Sequence, residues 1–468
     1  MQAKTKTLWT FAITSIALFM VVLDNLVVST ALPVIRTDLG ATIEQLEWTV
    51  NAYTLTFAVF LLTGAALGDR FGRRRMFLFG LGLFTAASAA AALAPSMDAL
   101  IAARAVQGIG GAIVTPLTLT ILSAAFPAEK RGVALGAWSG IAGLAVAAGP
   151  LVGGAVVEGI SWQWIFWLNV PIGLAVLPLA RMLPESHGPD RSPDLPGLAL
   201  ASGGLLGLVW GLVHGNSDGW GSPQIVVSLT LGAALLAAFV AWEARAKSPM
   251  LPLRFFRDRA FAAANGASLA MYFGMFGSVF LLSQFFQTAQ GYSPFEAGLR
   301  VLPWTAMPML VAPIAGALSD RIGGRPFLAG GLALQAIGLG WIAAVSSADV
   351  GYASLVGPFV VSGIGMGMFF APVANIVLSA VDARDEGKAS GASNAIREVG
   401  GVFGVAMLAS IFASTGGYGS PAVFNDGLVA ATWVGAAVVA AGALIALAVP
   451  GKQRTERAPE LTPAAEAA

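Results

Sequence analysis

The chain has 468 residues, 56% of them apolar and 11% charged, against roughly a quarter charged in an ordinary soluble domain, which excludes a soluble globular enzyme. Its 26 Lys and Arg balance 25 Asp and Glu for a net charge of +1, too even for a protein that grips nucleic acid or anionic lipid by bulk charge. With 0 Cys and 2 His, His187 and His214, disulfide frameworks, redox dithiols and thiolate metal sites are excluded.

A helix that crosses a bilayer needs about 20 largely apolar residues. Fourteen such stretches follow one another, at 8–32, 48–68, 76–94, 99–123, 132–157, 163–181, 196–214, 224–242, 260–286, 295–318, 327–346, 352–379, 389–414 and 427–449. The fold class is therefore an all-α membrane protein. The first span follows Lys4 and Lys6 as a secretory leader would, but it is too long for one and is read as a retained helix. If the N-terminus is cytoplasmic, all but four of the Lys and Arg fall in tails and loops on that side, as the positive-inside rule requires. The four are Arg36, on the other side, and Arg104, Arg300 and Arg397 within spans. An even number of spans places both termini in the cytoplasm, and the chain is expected as a multi-pass protein of the cell membrane.

Transporter folds are commonly built from repeats, and this chain repeats itself. Span 2 ends in Gly68-Asp69-Arg70-Phe71-Gly72-Arg73-Arg74, and span 10 ends in Ser319-Asp320-Arg321-Ile322-Gly323-Gly324-Arg325. A second echo pairs Gly108, Gly132 and Gly136 with Gly363, Gly387 and Gly391. Span 2 thus maps to span 10 and span 4 to span 12. The pattern predicts two six-helix bundles in parallel repeat, 1–181 and 260–449, with linkers and two inserted helices over 182–259. The tail 450–468, rich in Pro, Ala and Glu, is expected to be disordered and cytoplasmic.

Within the short loops, Asp69 and Asp320 can cap a helix or accept from Arg70, Arg74, Arg321 and Arg325, while Gly72 and Gly323 permit a turn that a side chain would block. Charge-assisted bonds of this kind can clasp one packing arrangement and release in another, and two copies at matching places predict a conformational latch rather than topology signals alone. In span 5, Gly149, Pro150, Gly153 and Gly154 combine close helix approach with a lost backbone donor.

Ionisable residues inside a membrane mark function by default. Asp24 sits among Met20, Val21, Val27 and Val28; in such surroundings a carboxyl can exist protonated or ionised near neutral pH, which a proton-coupled carrier requires. Arg104 reaches a similar depth on span 4. Arg397 and Glu398 share span 13 but point about 100° apart, so at most one of them is expected in a cavity, where Arg397 or Glu398 would be a second proton-coupling site beside Asp24 and Arg104. Arg300, near a span end, reads as an interfacial snorkeller. In span 9, Phe273, Phe276, Phe280, Gln284 and Gln287 line one helical face, which with Asn51 and Tyr53 of span 2 suits flat lipophilic ligands; the alternative for this face is packing or lipid contact. No phosphate-binding G-x-x-x-x-G-K-[ST] loop occurs, so the energy source is a gradient or a separate partner.

These residues resemble a known family. The duplicated plan and the Asp69 and Asp320 loops are similar to the major facilitator superfamily. Leu23-Asp24 with Ala31-Leu32-Pro33, Arg104-Ala105-Val106-Gln107-Gly108, Gly149-Pro150, Trp162-Gln163-Trp164-Ile165-Phe166 and Asn169-Val170-Pro171 resemble its fourteen-helix drug:proton antiporters. The resemblance covers nearly the whole chain except the tail. It implies proton-driven export of lipophilic, often cationic compounds, with no cofactor, no enzyme activity and no nucleic acid, by a monomer in the lipid bilayer. It also implies that Asp24 and Arg104 participate in coupling and that the Gly149-Pro150 element is typical of exporters. Ala65, Ala145 and Leu26 depart from the usual pattern, which leaves open loop geometry and compound choice. A dedicated exporter of one natural product is the alternative within transport; a non-transporting sensor or channel is the alternative of another class.

Overall fold

The structure, a computed structural model, describes residues 3–126, 128–187, 194–382 and 385–451, with side chains at all of these except 3–6, 128–133, 135, 136, 139, 320 and 387. Residues 452–468, most of the expected disordered tail, lie outside the described residues.

Helices account for the regular structure of the described residues: α1 (Ala3–Leu39), α2 (Ile43–Phe71), α3 (Arg73–Ala92), α4 (Met97–Ala125), α5 (Ala128–Gly159), α6 (Trp164–Trp167), α7 (Asn169–Ala180), α8 (Leu195–Asp218), α9 (Pro223–Glu243), α10 (Arg259–Gln284), α11 (Pro294–Thr305), α12 (Met307–Ile322), α13 (Arg325–Val345), α14 (Tyr352–Ser379), α15 (Glu386–Thr415) and α16 (Pro421–Ala446). Thirteen runs are long and apolar enough to cross a bilayer, and Trp164–Ala180 is a shorter apolar fourteenth.

The departures from uniform spans have local causes. Span 10 is divided into α11 and α12 because Pro308 has no N–H to offer the carbonyl of Trp304, and the ladder restarts with Met309 N donating to Ala306 O at 3.1 Å. Span 9 continues past α10 in one π-helical turn, Phe285–Ala289. Thr42 starts α2 with a reciprocal capping box, its hydroxyl accepting from Gln45 N at 3.3 Å while the Gln45 side chain accepts from Thr42 N at 3.1 Å. That cap places the helix start at Ile43, five residues before the expected span, and so draws Glu47 into the helix. Gly72 and Gly323 both end their helices at positive φ, 103° and 93°, a region L side chains rarely adopt, so the duplicated loops share their turn.

The helices pack in matched sets: α1 on α5 and α10 on α15; α2 on α4 and α12 on α14; α3 on α4 and α13 on α14; α3 on α7 and α13 on α16. Across the two halves of the chain, α2 packs on α15, α5 on α11 and α1 on α10. Gly108 and Gly363 occupy equivalent close approaches, the first of α4 to α2 and the second of α14 to α12, where an added Cβ would lie 2.7 Å from Met307 Cβ.

The inserted α8 lies against the α2–α15 seam. Its Leu205, Val209 and Val213 join Leu55 and Val59 of α2 and Val402 and Ala406 of α15 in one apolar cluster, and Asn216 donates to Ser410 O at 2.6 Å. Its partner α9 packs chiefly on α8.

Candidate functional site

Asp24 is 1% exposed and Arg104 fully buried. The Arg104 guanidinium Nη1 donates to Asp24 Oδ2. One turn further along α4, on the same face, Gln107 donates to Asp24 Oδ1 at 2.8 Å and accepts from Arg104 Nη1 at 2.7 Å. The break between α6 and α7 places Asn169 at the head of α7, where its amide donates to Asp24 Oδ1 at 2.7 Å. Gln107 Nε2 also donates to Ser88 Oγ of α3 at 2.8 Å, and Arg104 Nε to Thr49 O of α2 at 3.2 Å. The Tyr53 ring lies 4.2 Å from the guanidinium carbon, and the Tyr53 hydroxyl donates to Val21 O at 3.2 Å. Five helices of the first half, α1, α2, α3, α4 and α7, therefore meet in one network around this carboxylate.

Every group offered to Asp24 is a donor, which is the environment of a carboxylate. Arg104 Nη2 is buried and without a hydrogen bond among the described residues. The equivalent place in the second half is aromatic: Phe359 is fully buried and stacks on Trp304 at 6.1 Å. The ion pair belongs to one half.

Arg397 and Glu398 of α15 are both half-buried. Arg397 lies 5.9 Å from the Tyr272 ring and accepts no ion-pair partner among the described residues; its Nη1 donates to Asn394 Oδ1 at 3.4 Å. Glu398 Oε2 is buried without a hydrogen bond among the described residues.

Of the loop residues expected as a latch, those of the first copy bond to one another and to the linker after α7. Asp69 pairs with Arg73 at 2.9 Å. Arg74 N donates to Glu185 Oε1 at 2.9 Å, and Arg74 Nη1 to Leu183 O at 3.2 Å. The Arg70 guanidinium lies 5.1 Å from the Phe71 ring. Asp320's side chain lies outside the described residues; Arg321 is in the last turn of α12 and Arg325 begins α13, on either side of Gly323.

The opposite end, where α1 finishes near Arg36, is where the halves meet. Ser283 Oγ donates to Ser29 O at 2.8 Å, Gln287 Nε2 to Thr30 O at 2.9 Å, and Phe295 N to Glu158 Oε2 at 3.1 Å. Arg36 lies over the Tyr418 ring at 3.6 Å. The glycines of α5 make this possible: a Cβ on Gly149 would lie 2.6 Å from Leu26 Cβ, on Gly153 2.8 Å from Val27 O, and on Gly154 2.8 Å from Phe295 Cα. Gly298 answers from α11, its Cβ position 2.8 Å from Pro150 C. The Gly149–Gly154 element is thus a two-sided contact, to α1 and to α11.

The aromatic face of span 9 divides. Phe273 and Phe280 are buried in packing, and Gln284 donates to Phe280 O at 3.0 Å and accepts from the Tyr418 hydroxyl. Phe276 is half-buried and stacks on Tyr272 at 5.8 Å. Tyr53 is committed to Arg104, and Asn51 is fully buried with neither amide atom hydrogen-bonded. Arg300, within α11, lies 3.4 Å from the Tyr292 ring and 5.5 Å from Tyr352, and donates to Glu296 O at 3.1 Å.

Sequence reasoning passed over Gln107, Asn169, Ser88 and Glu47. Gln107 was signalled by its i+3 spacing from Arg104; Asn169 stood in a quoted motif without a role. Glu47 fell one residue outside its span.

The family model of the Major Facilitator Superfamily matches residues 14–405, and again 264–467. The chain belongs to the Major Facilitator Superfamily. As a member of that superfamily it is a membrane transporter and not an enzyme. It is 35% identical over 86% of its length to a tetracenomycin C resistance and export protein of Streptomyces glaucescens, covering 75% of that protein. It is 36% identical over 87% of its length to the multidrug resistance protein Stp of Mycobacterium tuberculosis, covering 76% of it, and 39% identical over 86% to the cephamycin export protein CmcT of Amycolatopsis lactamdurans, covering 84%. Among solved structures, a D-xylose-proton symporter superposes with a TM-score of 0.66 at 15% identity, over 94% of this chain and 97% of that one. That likeness speaks to the superfamily fold.

Proposed function

We propose that this transporter exports lipophilic or cationic drug-like compounds by proton antiport. The observation that carries the reading is the sealed Asp24–Arg104 pair, an ionised carboxylate whose one strong partner can be traded for a proton. The relatives support the direction, since those named above are resistance or export proteins. Two of them are named for a single product, which keeps a dedicated exporter as the second reading.

The working parts are two six-helix bundles, 1–181 and 260–449, joined by the 182–259 insert; the matched helix pairings support that division. They rock about a midplane site, with the Asp69 end cytoplasmic, both termini on that side of the cell membrane, and the arrangement described here closed to the outside. The inter-half contacts near Arg36, together with Asp69 bonded to Arg73 and Arg74 to the linker after α7, support that assignment. Asp24 and Arg104, with Arg397 or Glu398, couple protons; Phe276 and Asn51 take substrate as the seam parts. The gradient supplies the energy and no cofactor takes part.

Ethidium-loaded cells carrying the protein should lose dye faster than cells without it, and a protonophore should remove the difference. Dye loss unaffected by the protonophore would overturn proton coupling; no loss of any dye but export of one product would favour the dedicated exporter.

A further inference from the structure

Glu47 takes no part in the Asp24 network, yet it is 1% exposed and its Oε2 is buried without a hydrogen bond. Asn51, one turn on, is fully buried with both amide atoms unpartnered. The same row of α2 continues through Leu55 and Val59, which pack on Val402 and Ala406 of α15. Glu47 therefore lies where the two halves of the chain close on one another at the Arg36 end.

Glu44 lies on the same helix as Glu47 and Tyr418 in the loop after α15; the elements packed on α2 carry Arg36 and Asp38 at the end of α1, Asp98 on α4, His214 on α8, and Arg397 and Glu398 on α15. Among the described residues none of them forms an ion pair or hydrogen bond with Glu47. Arg36 is turned instead onto the Tyr418 ring, and Asp38 accepts from Trp162 Nε1 at 2.6 Å. Tyr418 lies within electrostatic range of both Arg36 and Glu47. Burial holds its hydroxyl above the ordinary tyrosine range, so it stays the donor to Gln284.

We propose that Glu47 is a second proton-binding carboxyl, separate from Asp24, which must be protonated for the Arg36 end to close. A carboxylate sealed there without a cation or a donor costs several kcal/mol, whereas a carboxylic acid fits. When α2 and α15 part, water reaches the carboxylate, and Arg36, in the same half, becomes available to it in place of Tyr418. The proton binds the closed end better than the open one, so by linkage protonation favours closure.

The inference rests on the proton-antiport reading but is tested without transport. The chain has no Cys, so spin labels enter directly at Leu93→Cys, 69% exposed after α3, and Ser347→Cys, exposed after α13. In the purified full chain, the distance between them should lengthen as pH rises. Glu47→Gln should stay at the short distance at every pH, and Asp24→Asn, which lacks the coupling carboxylate, should keep the wild-type response. A wild-type response in Glu47→Gln overturns the proposal, as does a wild-type protein with no response. Loss of the response in Asp24→Asn instead assigns it to the Asp24 network, which overturns this inference and leaves antiport standing. If Glu47→Gln does not fold, Glu47→Asp should respond with a displaced midpoint; an unchanged midpoint contradicts the proposal.

Discussion

Replacing Arg104 by Ala should destabilise the folded protein by about 3–5 kcal/mol, the cost of leaving a buried charge without its partner, and reduce gradient-driven transport below detection. Asp24 would keep Gln107 and Asn169, both neutral donors, and lose its only cation. Thermal unfolding in detergent and flux in vesicles measure the two effects separately. The double variant Asp24→Asn with Arg104→Ala removes both charges, so most of the stability should return while proton coupling does not. Such a non-additive pair is what two residues in one network give. Additive losses in the double variant would mean that the two charges do not depend on each other.

Gly154→Val should hold the Arg36 end open. Its side chain would enter space filled by the backbone of Pro294 and Phe295, with Cβ 2.8 Å from Phe295 Cα. Overpacking of this kind costs about 1–3 kcal/mol, which at about 1.4 kcal/mol per tenfold moves the closed fraction by roughly one to two orders of magnitude. Export should fall accordingly while the protein stays folded, because the clash exists only when the halves are together. Gly159→Val, in the same helix with nothing within 4 Å of its Cβ position, is the control and should export normally. Accessibility of a cysteine placed at Ser283, 3% exposed in the contact between the halves, measured by maleimide labelling, should rise in the first variant alone.

Most of the architecture was legible in the sequence because membrane helices announce themselves by length and apolarity. The spans, the two inserted helices and the duplicated turn at Gly72 and Gly323 needed no tertiary information. The ion network was half legible. Asp24 and Arg104 stood out as charges in apolar runs, but Gln107, Ser88 and Asn169 are neutral and become visible only when α3, α4 and α7 are brought together. Glu47 was missed for a different reason: a polar residue near a span end looks like loop until the Thr42 cap fixes where α2 begins. The loop charges carried a real signal without naming their partners, since Arg74 bonds Glu185 of the linker, far along the chain. Phe273 and Phe280 share a helical face with Phe276, yet periodicity cannot tell a face that meets ligand from one that meets α15.

The central claim is that a proton and Arg104 compete for Asp24 during transport. Vesicles with an acidic lumen, a proton-sensitive dye inside and ethidium outside test it directly. For the wild-type protein, ethidium should enter while the lumen turns alkaline; for Asp24→Asn, neither should occur. Alkalinisation and uptake undiminished in Asp24→Asn would contradict the account.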